Sequence, residues 1–411
     1  MNDRVRVGVV VTKFAAGAGG VALRGAMALD TDRYDVSIMT SPGGDLFERA
    51  TEAGLKVTLL DYMAPDVSPR SDARGVRELA GLFERDHFDI VHTHSAKAGA
   101  LGRLAARRAG VPAVHTLHGF PFHDFQSRAR RHAFISIERR LGRITAQFLA
   151  IGGAVAADAI RLGIATPDRV RVIASAVEAS IAPVSPETRR AARRVLSIPA
   201  GMKVIGTVGR LDFQKAPLDM VSAVAKMERR DVFGIWIGDG PLLEKAQRAA
   251  RDAGLEKRFI FLGQRNDIAD LLPAFDVFAM SSLYEGVPCA LVEGMLCGIP
   301  AVATAVNGVP DVVVHGRTGL LARPGDPSSI ARALDHMLLD PQRAETMAAA
   351  ARSLVLEEFQ PRRLGKALDE TFSDALDAAL RPAGAVVTEI HPADIQITAS
   401  LEPVHVSRRE R

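Results

Sequence analysis

Residues 281–319, SSLYEGVPCALVEGMLCGIPAVATAVNGVPDVVVHGRTG, constrain the fold more than any other stretch of this chain. They follow an apolar run, Val277-Phe278-Ala279-Met280, which reads as a buried parallel strand. A turn carrying Gly286 and Pro288 comes next, then a run from about Cys289 to Cys297 with helical character. Pro288 at a helix start is favourable, because its missing N–H would have no intrahelical acceptor. The N–H groups of Cys289, Ala290 and Leu291 are then expected to point out of the helix, where a diphosphate is bound well. Glu285 lies in the turn and Glu293 about a turn and a half into the helix. Two carboxylates so spaced can accept hydrogen bonds from hydroxyls on two parts of one ligand, such as a sugar and a ribose joined by diphosphate. The bland alternative is a buried helix with two satisfied acids.

The rest of the chain supplies a frame for that unit. Two halves each begin with an apolar strand running into a Gly-containing loop: Val5 to Thr12 leads to Gly17, Gly19 and Gly20, and Lys203 to Val208 leads to Gly209 and Arg210. After each start, β-rich runs alternate with amphipathic helical stretches, the pattern of doubly wound parallel sheets. The first half offers VRVGVVVT, DVSIMT, KVTLL, DIVHTH, AVHTLH and AQFLAI; the second offers KVIGTVG, VFGIWIG, RFIFLG, VFAMSS and PAVAT. The expected organisation is a Rossmann-like domain over 1–178, a hinge over 179–200 and a second Rossmann-like domain over 201–360. A helix over 361–381 and a mobile tail over 382–411 complete it. A length of 411 residues and an apolar share of 47% suit two such cores.

Composition excludes several classes. No stretch approaches the roughly 18 uninterrupted apolar residues of a membrane span, and MNDRVRVGVVVTKF lacks the pattern of a secretory signal. Two cysteines, Cys289 and Cys297, predict a reducing compartment and no disulfide framework. A formal charge of +4 is too small to indicate nucleic acid. A cytoplasmic protein is the expectation, with peripheral contact at the inner face of the membrane.

Glu285 and Glu293 form E-x7-E, and EGVPCALVEGMLCGIPAVAT around them resembles the signature of family 4 glycosyltransferases. These are retaining enzymes of the GT-B fold, two doubly wound domains facing across a cleft, with a C-terminal helix crossing back to the first. The resemblance covers about residues 1–380. It implies that Glu285 contacts the donor sugar and that Glu293 holds the ribose hydroxyls. Pro288, Cys289, Ala290 and Leu291 would form the diphosphate-binding helix start.

In the first half, GAGGVA (Gly17–Ala22) can be aligned with a dinucleotide fingerprint, but the second strand ends without the acid that would hold a ribose. By the resemblance, Gly19 and Gly20 approach the donor diphosphate from across the cleft. The family often carries an acid straight after this pair, where this chain has Val21. The block His92–His123, HTHSAKAGALGRLAARRAGVPAVHTLHGFPFH, resembles the subgroup that builds capsule, exopolysaccharide and other lipid-linked glycans. Its histidines straddle two strand ends, where doubly wound sheets bind ligands, with no nearby Cys or paired carboxylates in the same runs. They read as active-site groups, and no metal site is expected. The resemblance places His118 near the transferred carbon of the donor sugar. Gln126–Thr145 carries six arginines against the single acid Glu138, with Ala133, Phe134, Ile137, Leu141 and Ile144 at helical spacing. It reads as a basic amphipathic helix able to lie on an anionic membrane.

In the second half, Arg210 and Lys215 follow a strand and a Gly; a guanidinium fork and a compact ammonium suit phosphate oxygens. The resemblance assigns them to the diphosphate as it departs, and Gln264 and Arg265 to the turn where the nucleotide base rests. The resulting expectation is transfer of a sugar from a UDP- or GDP-linked donor to a lipid-linked or saccharide acceptor. The catalytic groups would be His118, Glu285, Arg210 and Lys215, with no cofactor. A nucleotide-sugar epimerase of the same fold or a non-catalytic nucleotide-sugar binder is the alternative.

Overall fold

The computed structural model describes residues 4–15, 17–64, 66, 68–177 and 182–380; the expected tail over 382–411 lies outside them. Two parallel sheets form the frame. The first contains β1 (Val5–Val11), β2 (Tyr34–Thr40), β3 (Lys56–Leu59), β4 (Ile90–His94), β5 (Ala113–Leu117), β6 (Gln147–Ala150) and β7 (Val170–Val172), in the order β3-β2-β1-β4-β5-β6-β7. The second contains β8 (Lys203–Val208), β9 (Val232–Ile237), β10 (Phe259–Phe261), β11 (Val277–Met280), β12 (Ala301–Thr304) and β13 (Leu320–Ala322), in the order β10-β9-β8-β11-β12-β13. Both orders reverse beside the first strand of their half, and the crevice at such a point is where open α/β sheets receive ligands.

The central strands are buried on both faces and read as apolar or small-residue runs, interrupted by histidines in β4 and β5. β7 and β13 have only three residues each, at sheet edges, and carry too little pattern to stand out from sequence. Close packing fixes some small residues: a Cβ on Gly206 in β8 would overlap the Phe275 ring, 2.0 Å from Cε2. The expected hinge over 179–200 contains a helix, Pro186–Val195, with a reciprocal Ser185/Thr188 cap. Arg189 and Arg193 tie this helix to Asp276 at 3.0 and 2.5 Å, so it belongs with the second sheet.

The helix Pro361–Leu380 crosses back to the first domain. Leu364, Leu368, Phe372 and Ala375 repeat along one face and are buried there. Gly365 passes so close to the helix Ala18–Ala28 that a Cβ would lie 2.2 Å from the Ala28 carbonyl oxygen. Arg171 of β7 pairs with Glu370 (2.5 Å) and Asp374 (3.1 Å), and the Tyr34 hydroxyl donates to Asp369 at 2.7 Å. Architecture is therefore GT-B: two Rossmann-like domains, a cleft between them and a C-terminal helix closing onto the first.

Candidate active site

The cleft holds a cavity of about 560 Å³ walled by both domains. From the first come Ala18, Ser95 and the loop from His118 to Phe125; from the second come Gln214, Tyr284, Glu285, Gly286 and Asn307. The two walls touch at Gly286, where a Cβ would lie 2.5 Å from the His118 carbonyl oxygen. A Cβ on Gly308 would likewise lie 2.6 Å from the Gly286 carbonyl oxygen. Glycine at 286 is thus what lets the Glu285 turn reach the His118 loop.

Glu285 is nearly buried and held by three donors. Its Oε1 accepts from Lys215 Nζ at 2.5 Å and from Ser282 Oγ at 2.7 Å, its Oε2 from Gln214 Nε2 at 3.3 Å. Its backbone N–H donates to Asn307 Oδ1 at 3.1 Å. Lys215 sits on a shaped loop: its N–H donates to Asp212 Oδ1, and the next residue, Ala216, has left-handed backbone (φ 47°) before Pro217. Non-glycine residues adopt that conformation at a cost, so a surrounding structure has to impose it. Ser281 Oγ, 2.8 and 3.0 Å from the carbonyl oxygens of Lys215 and Ala216, does so from the end of β11. Strand β8 therefore delivers Lys215 and strand β11 delivers Glu285 to one point.

Across the cleft, His118 Nε2 lies 3.0 Å from His94 Nδ1, and His92 Nε2 lies 2.7 Å from Thr116 Oγ1. Burial pushes all of these rings toward the neutral form. His118 is brought down to about 4, by burial first and then by the nearby Arg24 guanidinium; His92 falls to about 3. His94 and His115 are held well below the ordinary imidazole range for the same first cause. Among the described residues His94 Nε2 is buried without a partner. A bare lone pair there costs less than a bare N–H, which assigns the His94 proton to Nδ1, donating to His118 Nε2. His118 then carries its own proton on Nδ1. Among the described residues no three His, Cys, Asp or Glu side chains converge as a metal site requires.

The helix Cys289–Leu296 starts as expected, with two differences. Pro288 is the extended residue before the helix rather than its first member. The Leu291 N–H turns back to the Pro288 carbonyl at 3.1 Å, leaving Cys289 and Ala290 as the amides for a ligand. Glu293 is half-buried on this helix. Facing the helix start from the first domain is a residue with no motif to announce it. Arg24 donates to Ser175 Oγ at 3.2 Å and reaches Cys289 Sγ at 3.5 Å. Its only sequence cue is a place one helical turn beyond Gly20, whose position a Cβ would bring within 3.2 Å of Arg24 Nη1.

Several expected residues stand elsewhere. Gly19 and Gly20 lie in the first turn of the helix Ala18–Ala28, not in the loop, and Gly19 is explained by its approach to Lys13 and Phe14 backbone. Gly17 is the one with left-handed φ, 82°. Arg210 is largely exposed and pairs with Asp212. Gln264 and Arg265 line a separate open hollow, with Arg265 forked onto Asp267 at 2.8 and 2.5 Å. On the basic helix, here Arg128–Gly142, the buried face is Ile135, Glu138 and Leu141, whereas Ile137 points outward. Glu138 is the surprise: the only acid of that run is buried against fully buried Arg103, at 2.9 Å.

Comparison with known proteins agrees with this architecture. Residues 188–354 match the family described as glycosyl transferases group 1, and residues 15–180 match Glycosyltransferase Family 4. The chain is 28% identical over 325 residues to the Escherichia coli UDP-Gal:alpha-D-GlcNAc-diphosphoundecaprenol alpha-1,3-galactosyltransferase, covering 78% of this chain and 84% of that protein. It is 31% identical over 329 residues to the D-inositol 3-phosphate glycosyltransferase of Mycobacterium tuberculosis, covering 76% of this chain and 65% of that one. Crystalline HepE of Anabaena, in complex with UDP and glucose, superposes with a TM-score of 0.79 over 90% of this chain and 100% of its own, at 22% identity, a likeness of fold. With family models matching both halves, this chain belongs to the family 4 glycosyltransferases of the GT-B fold.

Proposed function

We propose that the cleft transfers a sugar, with retention of anomeric configuration, from a UDP- or GDP-linked donor to a lipid-linked glycan acceptor. The observation that carries this reading is the meeting of Lys215–Glu285 with the His118 loop across the cleft. Donor and acceptor can be held there by different domains, with the reacting carbon between them.

The proposed roles follow from charge and geometry. A departing diphosphate gathers negative charge in the transition state, and preorganised cations and amides lower the barrier there. Lys215, the Cys289 and Ala290 amides and Arg210 supply that field from the second domain, and Arg24 adds a cation from the first. Glu285, held by three donors, keeps Lys215 in place and offers its remaining lone pairs to the donor sugar. Glu293 grips the ribose. His118, neutral and protonated on Nδ1, is a hydrogen-bond donor to the sugar rather than a base. With no carboxylate among the described residues assigned as a nucleophile, a front-face path in which the leaving phosphate takes the acceptor proton suits the site, and Arg and Lys supply the counter-charge a metal would otherwise bring.

The acceptor reading draws on the E. coli relative, whose name specifies a diphosphoundecaprenol-linked sugar. Among the described residues no helix is long and apolar enough to cross a membrane. Three of the exposed arginines of the Arg128–Gly142 helix, Arg128, Arg130 and Arg140, are the proposed contact with an anionic leaflet, each worth about 1 kcal/mol near the surface.

A screen of radiolabelled UDP- and GDP-sugars against purified protein and membrane lipid extract tests the proposal. Label moving into the organic phase with one donor is the expected result. Label confined to free sugar or to the nucleotide would contradict it.

A further inference from the structure

A chain of aromatic rings runs outward along one wall of the cavity. Nearest the centre, the His123 ring stacks on Tyr284, the neighbour of Glu285, with centroids 4.5 Å apart and planes 11° from parallel. Farther out, Phe125 of the first domain meets Phe213 of the second edge-to-face at 5.4 Å, and each also approaches His123, at 5.9 and 6.1 Å. Phe125 is 56% exposed and Phe213 51% exposed. A soluble protein gains nothing by leaving two rings in water at the mouth of its cleft, and contiguous exposed apolar surface marks a binding region.

The chemistry along this wall is graded. The inner rung carries ring nitrogens and a hydroxyl, which can serve a sugar. The outer rung carries no polar atom, so it suits hydrocarbon. Beside it, Arg131 lies over the Phe122 ring and Arg130 over Phe134, at 5.9 and 5.6 Å. Arg131 lines the cavity and reaches toward the exposed acid Asp124 at 3.4 Å. A polar rung, an apolar rung and a cation beside the latter match the parts of a lipid-linked sugar: sugar, chain and phosphate.

We infer that Phe125 and Phe213 form a two-domain lip that grips the first segment of the isoprenoid chain of a lipid-linked acceptor, with Arg131 meeting the adjoining phosphate. The inference rests on the lipid-linked acceptor reading and adds to it a site that needs both domains. Because each ring belongs to a different domain, the chain bridges the cleft and favours its closed arrangement over the reacting groups.

The test is a chain-length series: one acceptor sugar diphosphate carrying short, medium and full-length isoprenoid chains, in a fixed detergent. For the wild type, kcat/KM should rise with chain length. In Phe125→Ala/Phe213→Ala the long-to-short ratio should fall about tenfold, the effect of withdrawing this much ring surface from the chain. Phe125→Leu/Phe213→Leu, which keeps apolar bulk, should recover most of the ratio, and donor affinity by calorimetry checks that the variants are folded. An unchanged ratio in the alanine variant overturns the lip. Equal losses for every chain length also overturn it, placing the rings on the sugar instead. If the wild type transfers to no lipid-linked acceptor but does transfer to a free saccharide, the acceptor reading itself falls and takes the lip with it.

Discussion

At the scale of single residues, the site is built from pairs that stand far apart in the sequence. Lys215 and Glu285 are 70 positions apart and stand 2.5 Å apart in the fold. Their roles separate kinetically. Lys215→Ala should lower turnover even at saturating donor, whereas Glu293→Ala should weaken donor binding roughly ten- to a hundredfold by calorimetry, as expected for lost hydrogen bonds to a charged group. The His94–His118 bond makes a sharper forecast. His94→Asn keeps an N–H donor near the Nδ1 position and should retain most activity. His94→Leu should lose it, and nitrogen-15 spectra of the wild type should show His118 protonated at Nδ1. A His118 signal protonated at Nε2 would overturn the proton assignment.

These buried histidines also give the pH dependence a sign. Their folded pKa values lie below the unfolded one, so between those limits the unfolded chain binds more protons and stability falls as pH falls. For His118 the loss runs from 6.5 down to about 4, and for His92 to about 3. Thermal melts from pH 7.5 to 4.5 should therefore show a steadily falling midpoint, and a His92→Asn variant should show a shallower fall. A flat profile would mean the rings are charged or solvated in the native state.

Elements show why some of this was legible beforehand and some was not. The strand, turn and helix over 277–297 could be read because an apolar run, a Gly-Pro turn and a helical run each announce themselves locally. So could the crossing helix Pro361–Leu380, through its one-sided apolar period. Arg24 could not, because nothing in GVALRG distinguishes an arginine facing a cleft from one facing solvent. The basic helix misled in register: its apolar residues fit more than one stripe, and a buried Arg103–Glu138 pair decided which face turned inward. Such a pair is costly to break from one side, so Glu138→Ala should destabilise the fold by about 3–5 kcal/mol in denaturant melts. Reversing the exposed charges at Arg128, Arg130 and Arg140 to Glu should instead leave stability intact and abolish sedimentation with anionic vesicles. Vesicle binding equal to the wild type would make this helix an ordinary solvated face.

Over the whole molecule, two cores that each look self-sufficient are joined by few but specific contacts. Gly286 touches the His118 loop, Arg24 reaches Cys289, and Asp311 of the second domain accepts from the Gly153 and Ala154 amides at a helix start of the first. The sequence pattern of two halves predicted the cleft, but contacts across it involve glycines, isolated polar residues and loop aromatics, which carry no periodicity. Those contacts gather the reacting groups, so the central claim concerns the cleft: its cations act on charge that appears as the sugar leaves. Single-turnover transfer at saturating donor, wild type against Lys215→Ala, tests that most directly. A fall of about a hundredfold or more in the rate of the chemical step is predicted, in line with removal of one preorganised charge from a developing anion. A wild-type rate in Lys215→Ala, with only a raised donor requirement, would contradict the account.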